Sequence, residues 1–357
     1  MEHLAIDLGG RESQICVRNS DGKIVEEKRE STRALGRYLK GRAKSRVVVE
    51  TCAEAFAVAD AALASGHEVR VVPASLVKGL GVGSRRIKND RRDAQVLSEV
   101  SSRINLPSVH VPSKQARERK SICGMRESLV QVRTKLINAV RGWLRGQLQR
   151  PRTGAPETFA KRVRERMGQV PAHVERLLVS VEQLTEQIRE AEKELKALAE
   201  ADGTCQRLMT VPGVGPVNAV RFAAMVDDVE RFPSAHEVES YIGLTPGEDS
   251  SSDRKRITSI TKAGSSKMRW ALIQAAWTAQ RCRPGDPMVQ WSKQVERRRG
   301  KRIAAVALAR KMTGILYAIW RDGTTYDAKR GAMAVAQPEV DLSNLVPLAE
   351  VRRGRKA

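Results

Sequence analysis

The stretch HLAIDLGGRESQICVRNSDGKIVEEKRE, residues 3–30, decides how the first part of the chain folds. Apolar runs at residues 3–8, 15–18 and 24–29 each have the length of one short strand. The turn Asn-Ser-Asp-Gly at residues 19–22 separates the last two runs and is typical of a β-hairpin. These features predict three consecutive antiparallel strands.

The sequence beyond this stretch alternates between helix and strand patterns. We expect a helix at residues 32–39, a strand at 47–50, a helix at 53–64 and a strand at 69–72. Three antiparallel strands followed by helix, strand, helix and strand is the order of an RNase H-like α/β fold with a mixed sheet. After Pro73 the sequence is predicted to be helical almost throughout.

A seven-residue repeat marks the middle of the chain. Its apolar positions are alternately four and three residues apart, with Glu, Gln, Lys and Arg between them. They are Leu177, Val181, Leu184, Ile188, Ala191, Leu195 and Leu198. The period of 3.5 predicts a coiled coil, formed either between subunits or as an antiparallel helical pair within one chain.

We divide the chain into four segments on this basis. Residues 1–112 form the predicted α/β domain, and residues 113–200 form a basic helical region with the coiled coil. Residues 201–325 are expected to fold as an all-α domain that contains a helix-hairpin-helix-like motif. Residues 326–357, which end in RRGRKA, are predicted to be a disordered tail.

The formal charge of the chain is +23, from 64 Lys and Arg against 41 Asp and Glu. The surplus is uneven, because residues 112–170 hold fifteen basic and four acidic residues. This favours nucleic acid as a partner over a merely solubilising surface, since each neutralised phosphate releases condensed counterions. The candidate phosphate contacts on the basic helix are Arg133, Arg141 and Arg145. A second cluster, at residues 281–311, includes Arg297, Arg298, Arg299, Lys301 and Arg302.

Membrane and secretion signals are not expected in this sequence. It has no apolar stretch of about 18 residues, so we expect no membrane span. The opening MEHLAIDLGG is typical of a first β-strand rather than a signal peptide. The five cysteines are widely spaced and form no zinc-binding pattern, so they are interpreted as reduced thiols in a cytoplasmic protein.

Four carboxylates stand at positions where an α/β fold can gather them. Asp7 and Glu50 end two predicted strands, and Asp90 and Asp93 lie three apart at the start of a predicted helix, on one face of it. Singly, Asp90 fits a helix cap and Asp93 a solvated helix position. Together, four carboxylates are stable only around hard cations, so the sequence predicts a Mg²⁺ or Mn²⁺ site. Two such ions can support phosphoryl transfer.

The segment LMTVPGVGPVNAV, residues 208–220, places Gly213 and Gly215 between two apolar helices. This pattern is typical of a helix-hairpin-helix, whose backbone N–H groups hold a DNA phosphate without reading sequence. A plain helix–helix turn is the alternative interpretation. We therefore treat both glycines as candidate nucleic-acid contacts.

The segment GEDSSSDRKR, residues 247–256, places three serines before three cations. These residues are Ser250, Ser251 and Ser252, followed by Arg254, Lys255 and Arg256. Composition alone favours an ordinary polar loop. A serine can nevertheless act as a nucleophile where cations orient a phosphate and another group takes the hydroxyl proton.

These motifs carry a resemblance to a known family. Asp7, Glu50 and KNDRRDA, followed by VPGVGPV and GLTPGEDSSSD…ITKAG, resemble the DEDD-type insertion-sequence transposases, which are related to the Piv-type DNA invertases. The resemblance covers roughly residues 1–325, and its motifs occur in the expected order. It implies a RuvC-like first domain in which Asp7, Glu50, Asp90 and Asp93 are metal ligands, with a coiled coil between the two domains.

The same resemblance implies a nucleophilic serine, usually within Ser-Ser-Gly or Gln-Ser-Gly, and a structured bridge RNA that pairs with donor and target DNA. Ser251 matches the second serine of the motif. Because Ser252 stands where the family has glycine, Ser250 and Ser252 remain alternatives. We therefore expect an RNA-guided, homo-oligomeric transposase that moves its own insertion sequence and links Ser251 to DNA.

Two other functions remain open at this point. The motif IDLGG, residues 6–10, also fits the phosphate loop of a sugar kinase or actin-like ATPase, but no second DxG-type loop follows. A non-catalytic architectural DNA-binding protein would use the hairpin and the basic helices. It would have no use for Asp7 or for the pair Asp90 and Asp93.

Overall fold

The computed structural model describes residues 1–79, 90–249 and 257–329. The chain divides into two compact units, with the boundary between Ser113 and Lys114. The first unit is an α/β unit and the second is dominated by helices.

A five-stranded mixed sheet forms the centre of the first unit. In space its order is β3-β2-β1-β4-β5. The first three strands are mutually antiparallel, and β4 and β5 run parallel to β1. The strands are β1 Glu2–Asp7, β2 Glu12–Arg18, β3 Ile24–Ser31, β4 Ser45–Glu50 and β5 Glu68–Val72. The structure thus confirms the predicted strands and the mixed sheet of an RNase H-like fold.

Helices cover both faces of this sheet. Leu35–Lys40 (α1) and Ala55–Ala64 (α2) pack against Leu4, Ile6, Val47, Val49 and other apolar side chains of one face. The opposite face buries Ala5 and Val48 against Leu97. That leucine belongs to the helix Asp90–Arg103 (α4), which follows the short helix Ala74–Gly79 (α3). Strict alternation along β1 and β4 assigns every side chain to one of these two layers.

An antiparallel helical pair opens the second unit. Lys114–Gly146 (α5) and Ala172–Ala201 (α7) run side by side, and Phe159–Met167 (α6) lies between them in the chain. Arg119 near the start of α5 pairs with Asp202 just beyond the end of α7. Of the two arrangements that the heptads allowed, the structure contains the pair within one chain.

The buried seam of α7 is shifted by one residue from the predicted seam at three of its seven positions. Val181, Ile188 and Leu195 are buried as expected. In the other half of the repeat Leu178 is fully buried, whereas its neighbour Leu177 is only half-buried. The complete buried set is Val174, Leu178, Val181, Thr185, Ile188, Leu195 and Ala199. The seven-residue period is therefore right, but the contact face is rotated.

Six further helices build the core of the second unit. They are Gly203–Leu208 (α8), Pro216–Val226 (α9), Ala235–Ile242 (α10), Ser266–Cys282 (α11), Pro287–Arg299 (α12) and Lys301–Asp322 (α13). Pro246–Glu248 (β6) and Ile257–Ile260 (β7) form a two-stranded antiparallel ribbon. The prediction of an all-α domain is therefore wrong in this one place, directly beside the serine segment.

The helix α13 is long and apolar enough to cross a membrane by length and composition, and among the described residues it is alone in this. This differs from the expectation that no segment of the sequence would qualify. In the structure Leu308, Met312, Leu316 and Tyr317 of α13 are buried in the core of the second unit. The Tyr317 hydroxyl also donates a hydrogen bond to the Phe232 carbonyl at 2.7 Å. These contacts are those of a core helix.

Candidate active site

Asp7 and Glu50 lie side by side at one edge of the sheet. β1 and β4 are parallel, with Ile6 opposite Val49, so the next residue of each strand is one of these acids. Both carboxylates fall on the face that packs against α4, because side chains alternate and Ala5 and Val48 already point there. Each acid is half-buried. The strand register therefore places two carboxylates together, as the sequence predicts.

The helix α4 runs antiparallel to β1 across this face. Its Ser101 hydrogen-bonds His3 at the start of β1, at 2.9 Å, and its Leu97 packs on Ala5 in the middle of the strand. The first turn of α4 must therefore lie towards the end of β1 that carries Asp7. Asp93 stands one turn before Leu97 on the same stripe of the helix and is half-buried.

The fourth predicted ligand, Asp90, is the first residue of α4, and its side chain lies outside the described residues. Among the side chains that the structure describes, no three His, Cys, Asp or Glu are grouped closely enough to hold a metal ion. Asp7, Glu50 and Asp93 thus share an edge and a face without forming a closed three-ligand cage. Carboxylate oxygens are the donors that Mg²⁺ and Mn²⁺ prefer, so the donor set fits the predicted ion.

One cysteine is close in the chain to the acidic edge. Cys52 follows Glu50 by two residues, and burial raises the pKa of its thiol above the usual value. The sulfur is therefore protonated at neutral pH when no metal ion is bound. The edge is built from hard oxygen donors.

Sequence reasoning missed a polar row across the sheet. Gln14 of β2 stands directly opposite Asp7, and Arg29 of β3 stands opposite Gln14. Cross-strand partners share a face, so this row continues the acidic edge with an amide and a cation. Both residues are visible in the sequence, but only the strand register shows that they lie in one row with Asp7.

The start of α4 is also tied to the sheet. Arg91 forms an ion pair with Glu27 of β3 at 2.5 Å, and Gln95 also hydrogen-bonds that carboxylate. The bond from Arg91 holds the pKa of Glu27 below its usual value, although burial alone would raise it. Contacts on both sides of Asp93 in the chain therefore fix the turn that carries it.

The hairpin glycines have two different environments. The turn between α8 and α9 brings Gly213 against α11, where a Cβ would lie 2.2 Å from the Ala275 oxygen. Gly213 also has a φ of 86°, which glycine adopts readily. Gly215 caps the start of α9 and would meet nothing within 4 Å. Close packing explains Gly213, while phosphate binding by either glycine stays a prediction.

The serine segment connects the two strands of the ribbon. Ser250, Ser251 and Ser252 lie outside the described residues, as do Arg254, Lys255 and Arg256. The described chain shows that β6 precedes this segment and β7 follows it. The role of each serine and each cation therefore stays a prediction.

Comparisons with known proteins agree with both halves of this description. A DEDD-type transposase model matches residues 4–148, and a second model, described as the transposase IS116/IS110/IS902 family, matches residues 205–289. A probable family 20 transposase of Pseudomonas aeruginosa is 31% identical over 291 residues, which cover 78% of this chain and 85% of the relative. This chain belongs to the IS110/IS116/IS902 family of DEDD transposases.

Other transposases are similar over nearly the whole chain. The transposase for insertion sequence element IS1111A of Coxiella burnetii is 29% identical over 333 residues, which cover 90% of each chain. The transposase for IS1328 of Yersinia enterocolitica is 28% identical over 333 residues, covering 90% of this chain and 98% of the relative. A transposase cuts and transfers DNA strands, so the ATPase and the non-catalytic architectural protein are no longer alternatives.

The two matched regions of this transposase contain the residues for which the sequence predicts a chemical role. The first spans the four acids and the whole of helix α5, and the second spans the turn between α8 and α9, the serine segment and α11. Transposase domains of the DEDD type are typically dependent on a divalent metal.

The candidate phosphate contacts on α5 divide into two kinds. Arg133 is 7% exposed, and its guanidinium bonds Glu157 at 3.1 Å and Thr185 at 3.3 Å. The Arg133 side chain lies between α5 and α7 and links the two helices. The prediction that it contacts phosphate is therefore wrong. Arg141 and Arg145 are exposed on α5. These two remain candidates.

Proposed function

We propose that this transposase cuts and rejoins DNA with a metal-binding carboxylate edge and a nucleophilic serine. The observation that carries the proposal is the meeting of Asp7 and Glu50 at the ends of two parallel strands. The first turn of α4, with Asp93, lies at the same end of the sheet. Asp90, Asp93, Asp7 and Glu50 would together hold Mg²⁺ or Mn²⁺.

The bound ions would stabilise the charge that develops on the attacking and leaving oxygens of a phosphodiester. The chain itself has to orient the carboxylates and the DNA backbone. Gln14 is positioned to hold the Asp7 side of the edge, because the two residues are direct cross-strand neighbours. Arg29, next in the row, supplies a cation towards which a DNA phosphate is drawn.

The serine is the second reactive group of the proposal. The Ser251 oxygen forms a bond to phosphorus while the bond from phosphorus to one sugar oxygen breaks. The proton lost by the serine ends on the sugar hydroxyl that leaves. Arg254, Lys255 and Arg256 would bind the phosphate oxygens during this step. The resulting phosphoserine keeps the energy of the phosphodiester for rejoining.

Guide RNA and self-association are parts of the same proposal. The exposed cations of α5 suit an RNA as well as DNA, because both present a line of phosphates. A homo-oligomer would let the carboxylates of one subunit serve the serine of another. One discrete RNA should copurify with the transposase. RNase treatment should remove this RNA and should also abolish sequence-specific cleavage. Both results together would support the guided mechanism.

A covalent-adduct assay tests the serine. The full chain, incubated with labelled DNA ends and Mg²⁺, should give a protein–DNA species that survives boiling in detergent. Ser251→Ala should abolish the adduct and leave DNA binding nearly unchanged, because one neutral hydroxyl adds little to an interface dominated by Lys and Arg. Ser250→Ala and Ser252→Ala are the matched controls.

The pattern among these variants separates the outcomes. Loss of the adduct in Ser250→Ala or Ser252→Ala alone would move the nucleophile by one residue and keep the mechanism. If all three variants cleave DNA while Asp7→Asn does not, the serine mechanism is wrong. The carboxylate edge would then direct hydrolysis by water, as in ordinary RNase H-like nucleases.

A further inference from the structure

Two tryptophans stand on the outer face of α11. Trp270 is 59% exposed, and Trp277, seven residues later, is partly exposed. A spacing of seven puts both rings on the same side of a helix, about 10 Å apart along its axis. A large aromatic side chain is seldom left in water without a partner. This stripe is therefore a candidate binding surface.

A basic corner adjoins the stripe. Arg297 and Arg299 lie in the last turn of α12, and Lys301 begins α13; all three side chains are exposed. The Lys301 ammonium lies over the Trp277 ring, 5.3 Å from its centroid. This contact ties the cations of the corner to the aromatic stripe of α11. We refer to Trp270, Trp277 and these three cations as the aromatic–basic face.

The start of α11 is held rigidly beneath the first ring. Arg269 donates hydrogen bonds to the carbonyl oxygens of Ile242, at 2.9 Å, and Gly264, at 2.6 Å. Gly264 itself packs so closely on Tyr241 that a Cβ would lie 1.9 Å from the carbonyl oxygen. Trp270, the next residue after Arg269, therefore projects from a fixed turn. A fixed ring loses little conformational freedom when a flat ligand stacks on it.

Rings beside cations form the pattern that binds single-stranded nucleic acid. Bases stack on the rings while the cations neutralise phosphates, and this needs no particular sequence. A duplex keeps its base faces inside the stack, so only an unpaired strand offers them to Trp270. The distance between the rings equals the rise of about three stacked nucleotides at roughly 3.4 Å each. Charge complementarity thus favours a polyanion with free bases over a protein partner.

We propose that the aromatic–basic face binds an unpaired DNA strand, with Trp270 as the stacking platform for one base. The choice of DNA rests on the proposed function, because α11 begins six residues after β7, the strand that leaves the serine segment. Lys301, seated on Trp277, neutralises a phosphate of the same strand.

Binding measurements on the full chain test this proposal. Fluorescence anisotropy would follow a labelled single-stranded oligonucleotide and the matched duplex over a range of salt. Trp270→Ala should weaken single-strand binding about tenfold, since one stacked base is lost. Its salt slope should not change, because no phosphate contact is removed. In contrast, Arg299→Gln with Lys301→Gln should flatten the slope by roughly one unit per lost contact.

A base analogue reports the stacking directly. 2-Aminopurine in the oligonucleotide should be quenched by the native chain and less by Trp270→Ala, while Trp270→Phe should restore part of the quenching. Met125→Ala is the matched control, because Met125 is an equally exposed apolar side chain on α5 of the same unit. It should leave both the affinity and the quenching unchanged.

Three results would overturn the proposal. Unchanged single-strand affinity in Trp270→Ala would mean that no base stacks there. A loss that is larger with an RNA oligonucleotide of the same sequence would assign the face to RNA. Unchanged nucleic-acid binding with a lower mass in sedimentation would make it a contact between copies of this chain. None of these readouts uses cleavage, so failure of the serine mechanism remains distinguishable.

Discussion

The sheet of the first unit and the helical pair of the second place their side chains by different rules. On β1 and β4, neighbouring residues point to opposite faces, so one buried residue determines the direction of all the others. On α7, neighbouring residues are only about 100° apart, and Leu177 and Leu178 compete for the same seam. Strand register therefore places two acids together, whereas a heptad pattern leaves a one-residue choice open.

The largest effect is expected where the sheet rule applies. Glu50→Gln should lower Mg²⁺-dependent strand cleavage by about 10³-fold or more, because the proposed metal site would lose one ligand and its charge. Folding should be kept, since removing one of several like charges relieves repulsion. Glu68→Gln on β5 is the control, because that acid pairs with Arg46 and Arg70. Full cleavage by Glu50→Gln would remove the metal edge from the mechanism.

The helical pair offers a direct test of its register. Leu178→Ala should lower the free energy of unfolding by about 2–5 kcal/mol, because a fully buried leucine leaves a cavity. Leu177→Ala should cost about 1 kcal/mol or less, since that side chain is already half-exposed. Chemical denaturation of the two variants provides the measurement. A larger loss in Leu177→Ala than in Leu178→Ala would favour the seam that the sequence pattern predicts over the one in the structure.

The two glycines in the turn between α8 and α9 have different structural roles. Gly213 packs against α11, and Gly215 caps the start of α9. Gly213→Ala should destabilise the second unit by about 1–3 kcal/mol or more, because the new Cβ meets the α11 backbone and φ is positive. Gly215→Ala should cost only a few tenths to about 1 kcal/mol, as the loss of a favourable helix cap. Thermal unfolding distinguishes the two. A stable Gly213→Ala would mean that the turn does not rest on α11.

The smallest effect concerns the exposed cations of α5. Arg141→Gln with Arg145→Gln should reduce the slope of log K against log salt by roughly one unit per phosphate contact. Arg133→Met should leave the slope unchanged, because that guanidinium is turned into the helical pair. Titration of duplex DNA and of RNA at several salt concentrations gives both numbers. A change of slope in Arg133→Met would place this residue on the nucleic-acid surface.

Local patterns were sufficient for the strands and for the order of the first unit. They missed the ribbon, because Pro-Gly-Glu and Ile-Thr-Ser-Ile are too short to show a period and contain residues typical of turns. They also misplaced Arg133, whose partner Glu157 lies 24 residues away, across the connection after α5. Gln14 was not predicted as a site residue, because a neutral amide can be assigned to the site only once the strand register places it opposite Asp7.

The seat of Gly213 on α11 has a mechanical consequence. Two stretches of backbone touch there with no side chain between them, so nothing soft is available to absorb a displacement. A nucleic acid that pushes or pulls the turn would move α11 as one rigid body. Because α11 carries Trp270, a displacement of the turn would also move the aromatic–basic face. The turn and α11 would therefore move together.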